Sequence, residues 1–408
     1  MRIGYCITSD ETTDYYVGIR FNNGIPEVLF PHGYNISTDE KERRKDVFRL
    51  LGAIKRFSND EEGERNNSQK EYIKTLPLTS YQYIMNDFLL NGYYTEKEIK
   101  YVQSPKGKID WKRTVQKEQA HLDENNVVYL NFQVKTNKIN ENNVLTRIHQ
   151  YCVYQSFLRF GWLYFTSDYL PPKPPIKFNK RFFSTVVKNA LDNTFNDSKR
   201  KLFQSMLNII LENDEEIDLS NFSIGVKKFE GVWENLIDYI FGEPDKEKYF
   251  PHATWHIIKR DRIEQSSPLR QDTIMKHNGK FYVLDAKYYQ YGISYYAGDL
   301  PKTDSIQKQI TYGKHIANMG EVDENKVYNA FIMPYSAAPG EYMKFIGVGT
   351  ADWEKYDINT KNYAYVLGIL IDTKTVIANY SRHNEKEIEQ MADLIEESIE
   401  YYRNKTER

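Results

Sequence analysis

The sequence predicts an α/β protein in two parts: an N-terminal α+β domain over residues 1–170 and a C-terminal domain over residues 171–408, in which a mixed sheet is flanked by helices. Three observations carry this. First, Asn278-Gly279 is the strongest short signal for a two-residue type I′ hairpin turn, and Thr273, Ile274, Phe281, Tyr282 and Val283 flank it as strand formers. Second, helix-period and strand-like segments alternate from there to the end of the chain. Third, 408 residues exceed the size at which one core usually stops growing, and Pro171-Pro172-Lys173-Pro174-Pro175 offers a semi-rigid extended spacer at which to divide them.

In chain order, Met1 to Val28 alternates in strand fashion around the turn Asn22-Asn23-Gly24. Val47, Leu50, Leu51, Ile54 and Phe57 then recur at helical spacing. The cations between them (Lys41, Arg43, Arg44, Lys45, Arg49, Lys55, Arg56) form either a phosphate-binding face or, with Asp39, Glu40, Glu42 and Asp46 interleaved, a merely solvated one. Residues 59–70 are apolar-poor and read as a loop. Further helices are expected from about Ser80 to Leu90, Glu141 to Leu163, Asn179 to Leu191 and Ser198 to Glu212. A helix around Glu234 follows, with Val232, Trp233, Leu236, Ile237 and Ile240 as its buried stripe. Beyond the hairpin, Ile306, Ile310, Gly313 and Ala317 mark the packed face of another helix. Strand-like runs come next, from Val327 to Pro334, Lys344 to Gly349 and Tyr363 to Ile371. A last helix turns Ile388, Met391, Leu394, Ile395 and Ile399 inward, and the charged tail from Arg403 frays.

A formal net charge of -2 excludes a wholly basic nucleic-acid coat, so any DNA contact must use local patches. Lys259, Arg260 and Arg262, beside Trp255 and His256, make one such patch; Arg270 is a fourth candidate cation. The two cysteines, Cys6 and Cys152, exclude a Cys-rich zinc module and a disulfide framework and fit a reducing compartment. With no signal-like N-terminus and no apolar run approaching about 18 residues, a soluble cytoplasmic protein without a membrane partner is expected.

The hairpin turn sets the chemistry. If His277 pairs with Lys280, Met275 faces Tyr282, Thr273 faces Leu284, and Asp272 faces Asp285. Directly opposite strand positions lie roughly 5 Å apart, where like charges destabilise each other. A cation must offset them. A hard divalent ion takes carboxylate oxygens and keeps positions open for phosphate and water. Lys287, on the same face as Asp285, adds an ammonium to orient water or offset charge on a phosphorane. Read as structure alone, the same residues make a solvated edge with Lys287 as a salt-bridge partner.

Asp272 followed by Asp285-Ala286-Lys287 resembles the D…(D/E)xK signature of the PD-(D/E)xK nuclease superfamily, with Gln271 where the Pro of that name usually stands. The stretch from Phe229 to Ile237 resembles the helix bearing that superfamily's first acidic residue. This carries over to Glu234, with Glu230 a competitor one turn earlier. The stretch from Asp304 to Tyr312 resembles the helix after the core strands, making Gln309 and Tyr312 the supporting Gln and Tyr. Gly107-Lys108-Ile109-Asp110-Trp111-Lys112-Arg113-Thr114 has no catalytic logic of its own. Followed by strands, a long helix and the hairpin, however, it is similar to the LlaJI-type restriction endonucleases and the related McrC subunits.

The resemblance implies a DNA endonuclease of a restriction system that uses Mg2+, with Mn2+ as a substitute. Asp272, Asp285, Glu234 and the Ala286 carbonyl would hold ions, Lys287 would orient the attacking hydroxide, and Gln309 would complete the site. It also implies double-stranded DNA as substrate, two chains meeting on it, and docking of the N-terminal region on an McrB-like AAA+ GTPase. The sequence has no GxxxxGK[ST] segment, as a cutting subunit without its own motor would show. The alternatives are a stand-alone type II enzyme that reads its own sequence, and a DNA- or partner-binding subunit without chemistry.

Overall fold

The computed structural model describes residues 3–7, 16–22, 25–63, 77–123, 126–140, 143–165, 169–212, 223–319, 322–354, 361–379 and 384–406. Two compact units interleave along the chain: Leu76–Leu219 forms one, while Arg2–Thr75 and Ser220–Arg408 together form the other.

The discontinuous unit begins with β1 (Gly4–Ile7), β2 (Val17–Asn22) and β3 (Ile25–Phe30), as the alternating pattern predicts; Asn23 and Gly24 of the expected turn lie outside the described residues. Helix α1 (Glu40–Gly63) buries Val47, Leu50, Leu51 and Ile54. It also runs through residues 59–63, where a loop was expected, because an anchored helix gains one bond for each residue it adds. Residues 64–70 of that stretch lie outside the described residues.

The inserted unit contains α2 (Leu78–Asn91), β4 (Glu96–Ser104), α3 (Trp111–Lys117), β5 (Ala120–Asp123), β6 (Asn126–Tyr129), β7 (Phe132–Asn140), α4 (Val144–Tyr164), α5 (Lys180–Asp192) and α6 (Asp197–Glu212). The Gly107–Thr114 motif has a structural task here. Asp110 caps α3 by accepting from the Arg113 amide at 3.0 Å, and the buried Thr114 hydroxyl links the Asp110 carbonyl at 2.9 Å to the Gln133 amide of β7 at 3.0 Å. Trp111 itself is exposed. Helices α2, α4, α5 and α6 pack together, and buried Arg159 binds the Tyr81 hydroxyl and Glu212. The proline segment at 171–175 therefore joins α4 to α5 inside one unit, not two domains.

The chain then returns through β8 (Ser223–Val226), which pairs antiparallel with β2 and so ties the C-terminal half to the first strands. Next come α7 (Glu230–Phe241), the ribbon β9 (Thr254–Ile257) and β10 (Arg262–Gln265), then β11 (Thr273–His277) and β12 (Lys280–Ala286). These are followed by α8 (Tyr291–Ser294), α9 (Thr303–Ala317), β13 (Val327–Tyr335), β14 (Met343–Gly349), β15 (Val366–Asp372), α10 (Thr373–Ala378) and α11 (Glu385–Thr406). A mixed five-stranded sheet runs β11-β12-β13-β15-β14, with β12, β13 and β15 parallel and antiparallel strands at both edges. Central β13 is buried throughout, as its unbroken apolar run requires. Ile310 and Ile316 of α9 share a core with Val283, Phe331 and Leu370, whereas Tyr282 points to the other face and donates to Glu396 of α11 at 2.5 Å. Helices thus cover both faces. No helix among the described residues is long and apolar enough to cross a membrane.

Candidate active site

Asn278 (φ 49°) and Gly279 (φ 72°) are both left-handed, the backbone a type I′ turn demands. The ladder then pairs His277 with Lys280, Met275 with Tyr282 and Thr273 with Leu284, the register expected from the turn. Asp272 stands one residue past the last pair, beside Asp285. Its Oδ2 accepts from the Ala286 amide at 3.2 Å. Burial, then a hydrogen bond to Asp285 and that residue's charge, then Glu234, push the Asp272 carboxyl up to about 9, against the pull of Lys287. A hydrogen bond between two carboxyls requires a proton, so without a cation Asp272 keeps one over a range in which a free carboxyl has lost it. Lys287 Nζ lies 3.0 Å from Asp285 Oδ2. Burial opposes its charge, but Asp285 and Asp272 more than offset this and its pKa is raised, so it stays an ammonium.

Helix α7 buries Val232, Trp233, Leu236, Ile237 and Ile240, which turns Glu234 into a cleft of about 360 Å³ shared with Asp238, Lys246, Arg270 and Asp272. Glu230 is absent from the described lining. Although the cleft admits water to Glu234, crowding by protein raises its pKa first; Lys287 lowers it and Asp285 raises it again. Among the described residues no three Asp, Glu, His or Cys side chains gather into a ready metal cage. Asp272 and Asp285 nevertheless suit Mg2+, which commonly takes one or two carboxylates and fills its shell with water and phosphate.

Gln309 and Tyr312 brace backbone rather than touch the carboxylates. Gln309 Nε2 donates to the Val283 carbonyl at 2.6 Å, two residues before Asp285; the Tyr312 hydroxyl donates to the Arg270 carbonyl at 3.2 Å, two residues before Asp272. The four candidate cations separate. Arg270 lines the cleft, while Lys259 and Arg262 stand on the exposed β9–β10 ribbon, with Arg262 3.1 Å from Glu264. The side chain of Arg260 lies outside the described residues. Sequence reasoning missed Lys246, which bonds the Asp272 carbonyl and pairs with Asp238 at 2.6 Å. Its setting, Asp245-Lys246-Glu247, reads as ordinary solvated surface, so no local signal could have found it.

A close carboxylate pair, a lysine held against it and an open polar cleft can hold a divalent cation and offset charge on a phosphorane, the needs of a phosphodiester-cleaving enzyme. The chain belongs to the LlaJI restriction endonuclease family, which matches residues 16–391. It is also similar to the type II restriction enzyme BsuMI component YdjA of Bacillus subtilis (strain 168), with 24% identity over 386 residues, covering 86% of this chain and 78% of that protein. Among solved structures it is similar to a chain in a half-complex of Thermococcus gammatolerans McrB AAA+ hexamers with bound McrC, at 14% identity, 90% and 81% coverage and a TM-score of 0.37. A second likeness is to a chain of the Thermococcus gammatolerans McrBC complex, at 14% identity, 55% and 64% coverage and a TM-score of 0.26.

Proposed function

We propose that this chain is a Mg2+-dependent DNA endonuclease of a restriction system, with α7, the β11–β12 hairpin and α9 forming a PD-(D/E)xK core. The observation that carries this reading is the carboxyl pair of Asp272 and Asp285 with Lys287 held 3.0 Å from the latter. The pair and the Ala286 carbonyl would hold Mg2+, or Mn2+ in its place, and Glu234 would position water or a second ion. Bound Mg2+ would supply Lewis acidity toward the phosphodiester and toward water. Lys287, kept charged by its two aspartates, orients the attacking oxygen and offsets the charge that grows on phosphorus. Gln309 and Tyr312 fix the strands that present these groups.

Asp272→Asn and Lys287→Ala are each expected to lower duplex cleavage at least about 100-fold, with circular dichroism unchanged. Parent-level cutting by either variant would discard the assignment. Saturable Mg2+ binding in calorimetry, lost in Asp272→Asn, separates the nuclease from a subunit without chemistry.

Within this reading the chain is the cutting subunit, working with an McrB-like AAA+ GTPase. The order of its sequence motifs, its lack of a GxxxxGK[ST] segment, and the description of its Bacillus relative as a component of an enzyme support this. Cleavage should then need the second protein and GTP. Specific cutting by the purified chain with Mg2+ alone would instead make it a stand-alone type II enzyme. On duplex DNA two copies are expected to meet, one for each strand.

A further inference from the structure

Between α7 and the catalytic hairpin the chain makes an excursion that the site does not use. Gln271 Nε2 reaches the Tyr249 carbonyl at 3.5 Å, the Leu269 amide bonds the Pro251 carbonyl at 2.9 Å, and the Ser266 amide bonds the Ala253 carbonyl at 2.8 Å. These contacts close the base of a loop from which β9 and β10 extend as an isolated two-stranded ribbon. Each strand has four residues, about 13 Å of extended chain.

Every described side chain of β10 is exposed, and so are Thr254, Trp255 and His256 of β9. Trp255 is 70% exposed, Ile263 67% and Ile258, at the tip, 94%. Such a ribbon has no core of its own to bury, and two strands alone are marginal in water. Apolar side chains held this far into solvent point to a partner.

The pairing of Ile263 with His256 and Glu264 with Trp255 sorts the side chains by face. One face carries Thr254, His256, Ile263 and Gln265; the other carries Trp255, Ile257, Arg262 and Glu264. Both mix donors or acceptors with an apolar group, the combination that reads base edges and thymine methyls. From Lys246 to Arg270 there are six Lys and Arg against three Asp and Glu, a local charge of +3 in a chain whose net charge is -2. That favours a polyanion. The major groove of B-DNA admits a two-stranded ribbon, and β10 runs within seven residues into Asp272.

We infer that the β9–β10 ribbon enters the major groove of duplex DNA next to the cleft and reads bases there, so that the cutting chain itself contributes sequence specificity. This inference rests on the nuclease reading of the site. It deepens that reading by giving the ribbon a groove and a task. Phosphate contacts from Lys259 would set its position, while Arg262 and Glu264, which share the face of Trp255, would discriminate bases.

The test is binding of the full chain to a fluorescein-labelled duplex library in EDTA, followed by sequencing of the bound fraction. Replacing Thr254–Gln265 with Asn-Gly closes the excursion at the Ala253–Ser266 pair. This variant is expected to bind at least tenfold more weakly and to lose the enriched motif. The double variant Trp255→Ser with Ile258→Ser, at exposed positions, gives the same readout should the shortened chain fold poorly. The inference is overturned by parental affinity and motif in both variants, by a parent that does not bind duplex at low salt, or by loss of self-association with DNA binding intact. Mg2+ titration keeps the two readings apart. Saturable ion binding without a ribbon effect sinks the ribbon alone; a ribbon effect without ion binding sinks the nuclease alone.

Discussion

Asp272 links the site to pH. Its carboxyl is raised from 3.8 to about 9, chiefly by burial and by Asp285. Between those values the folded metal-free chain holds a proton that the unfolded chain has released, so stability falls as pH rises through that window. The expected outcome, read by thermal melts in EDTA, is a midpoint that drops from pH 5 to pH 9 in the parent and drops much less in Asp272→Asn. If Mg2+ binds at Asp272 as proposed, that proton must leave, so calorimetric binding enthalpies at pH 7 should vary with the ionisation heat of the buffer. A buffer-independent enthalpy would mean that Asp272 holds no proton there. Much of this was legible in the sequence, because a turn at Asn278-Gly279 fixes which residues face each other. Lys246 was not. Its bond to the Asp272 carbonyl spans 26 positions and depends on where a short turn after α7 happens to end.

Helix α9 shows how an element can serve the site without reaching it. A Cβ added at Gly313 would lie 2.7 Å from Asn329 Nδ2 and from Tyr363 Cβ, so glycine is what lets α9 sit close to β13. Gly313→Val should therefore destabilise the fold by about 1–3 kcal/mol in urea titrations, as overpacking typically does. It should also lower kcat by pulling Gln309 from the Val283 carbonyl. Gln309→Leu, which leaves that carbonyl without its donor, is expected to cost a similar amount. An unchanged melt in both variants would show that α9 adapts freely. Elements with a strong period are legible: β13 as an apolar run, and α11 from Ile388, Met391, Leu394, Ile395 and Ile399, of which all but the half-buried Leu394 are buried. The β9–β10 ribbon was seen only as a cluster of cations. Neither of its faces is buried, so no period-2 alternation forms in the sequence.

At the scale of the whole chain, the N-terminal strands belong with the last 189 residues rather than with their sequence neighbours. The β2–β8 pairing that joins them matches Val17 with Val226, a separation no local pattern encodes, and four prolines at 171–175 mark a bend within the inserted unit instead. Helix α1 adds to the tie. It packs on α7 and α10, where Asp46 accepts from Lys374 at 2.7 Å and is 3.2 Å from Arg49. A fragment spanning residues 171–408 would therefore expose the β8 edge and the α1-facing side of α7, the helix that presents Glu234. It should aggregate or melt without cooperativity. A chain in which Leu76–Leu219 is replaced by a long Gly/Ser linker keeps both partners. That chain should melt cooperatively and retain saturable Mg2+ binding at Asp272 and Asp285. The reverse result, a cooperative 171–408 fragment that binds Mg2+ beside a linker-joined chain that does not fold, would restore the proline segment as the boundary. It would also remove the first 75 residues from the support of the site.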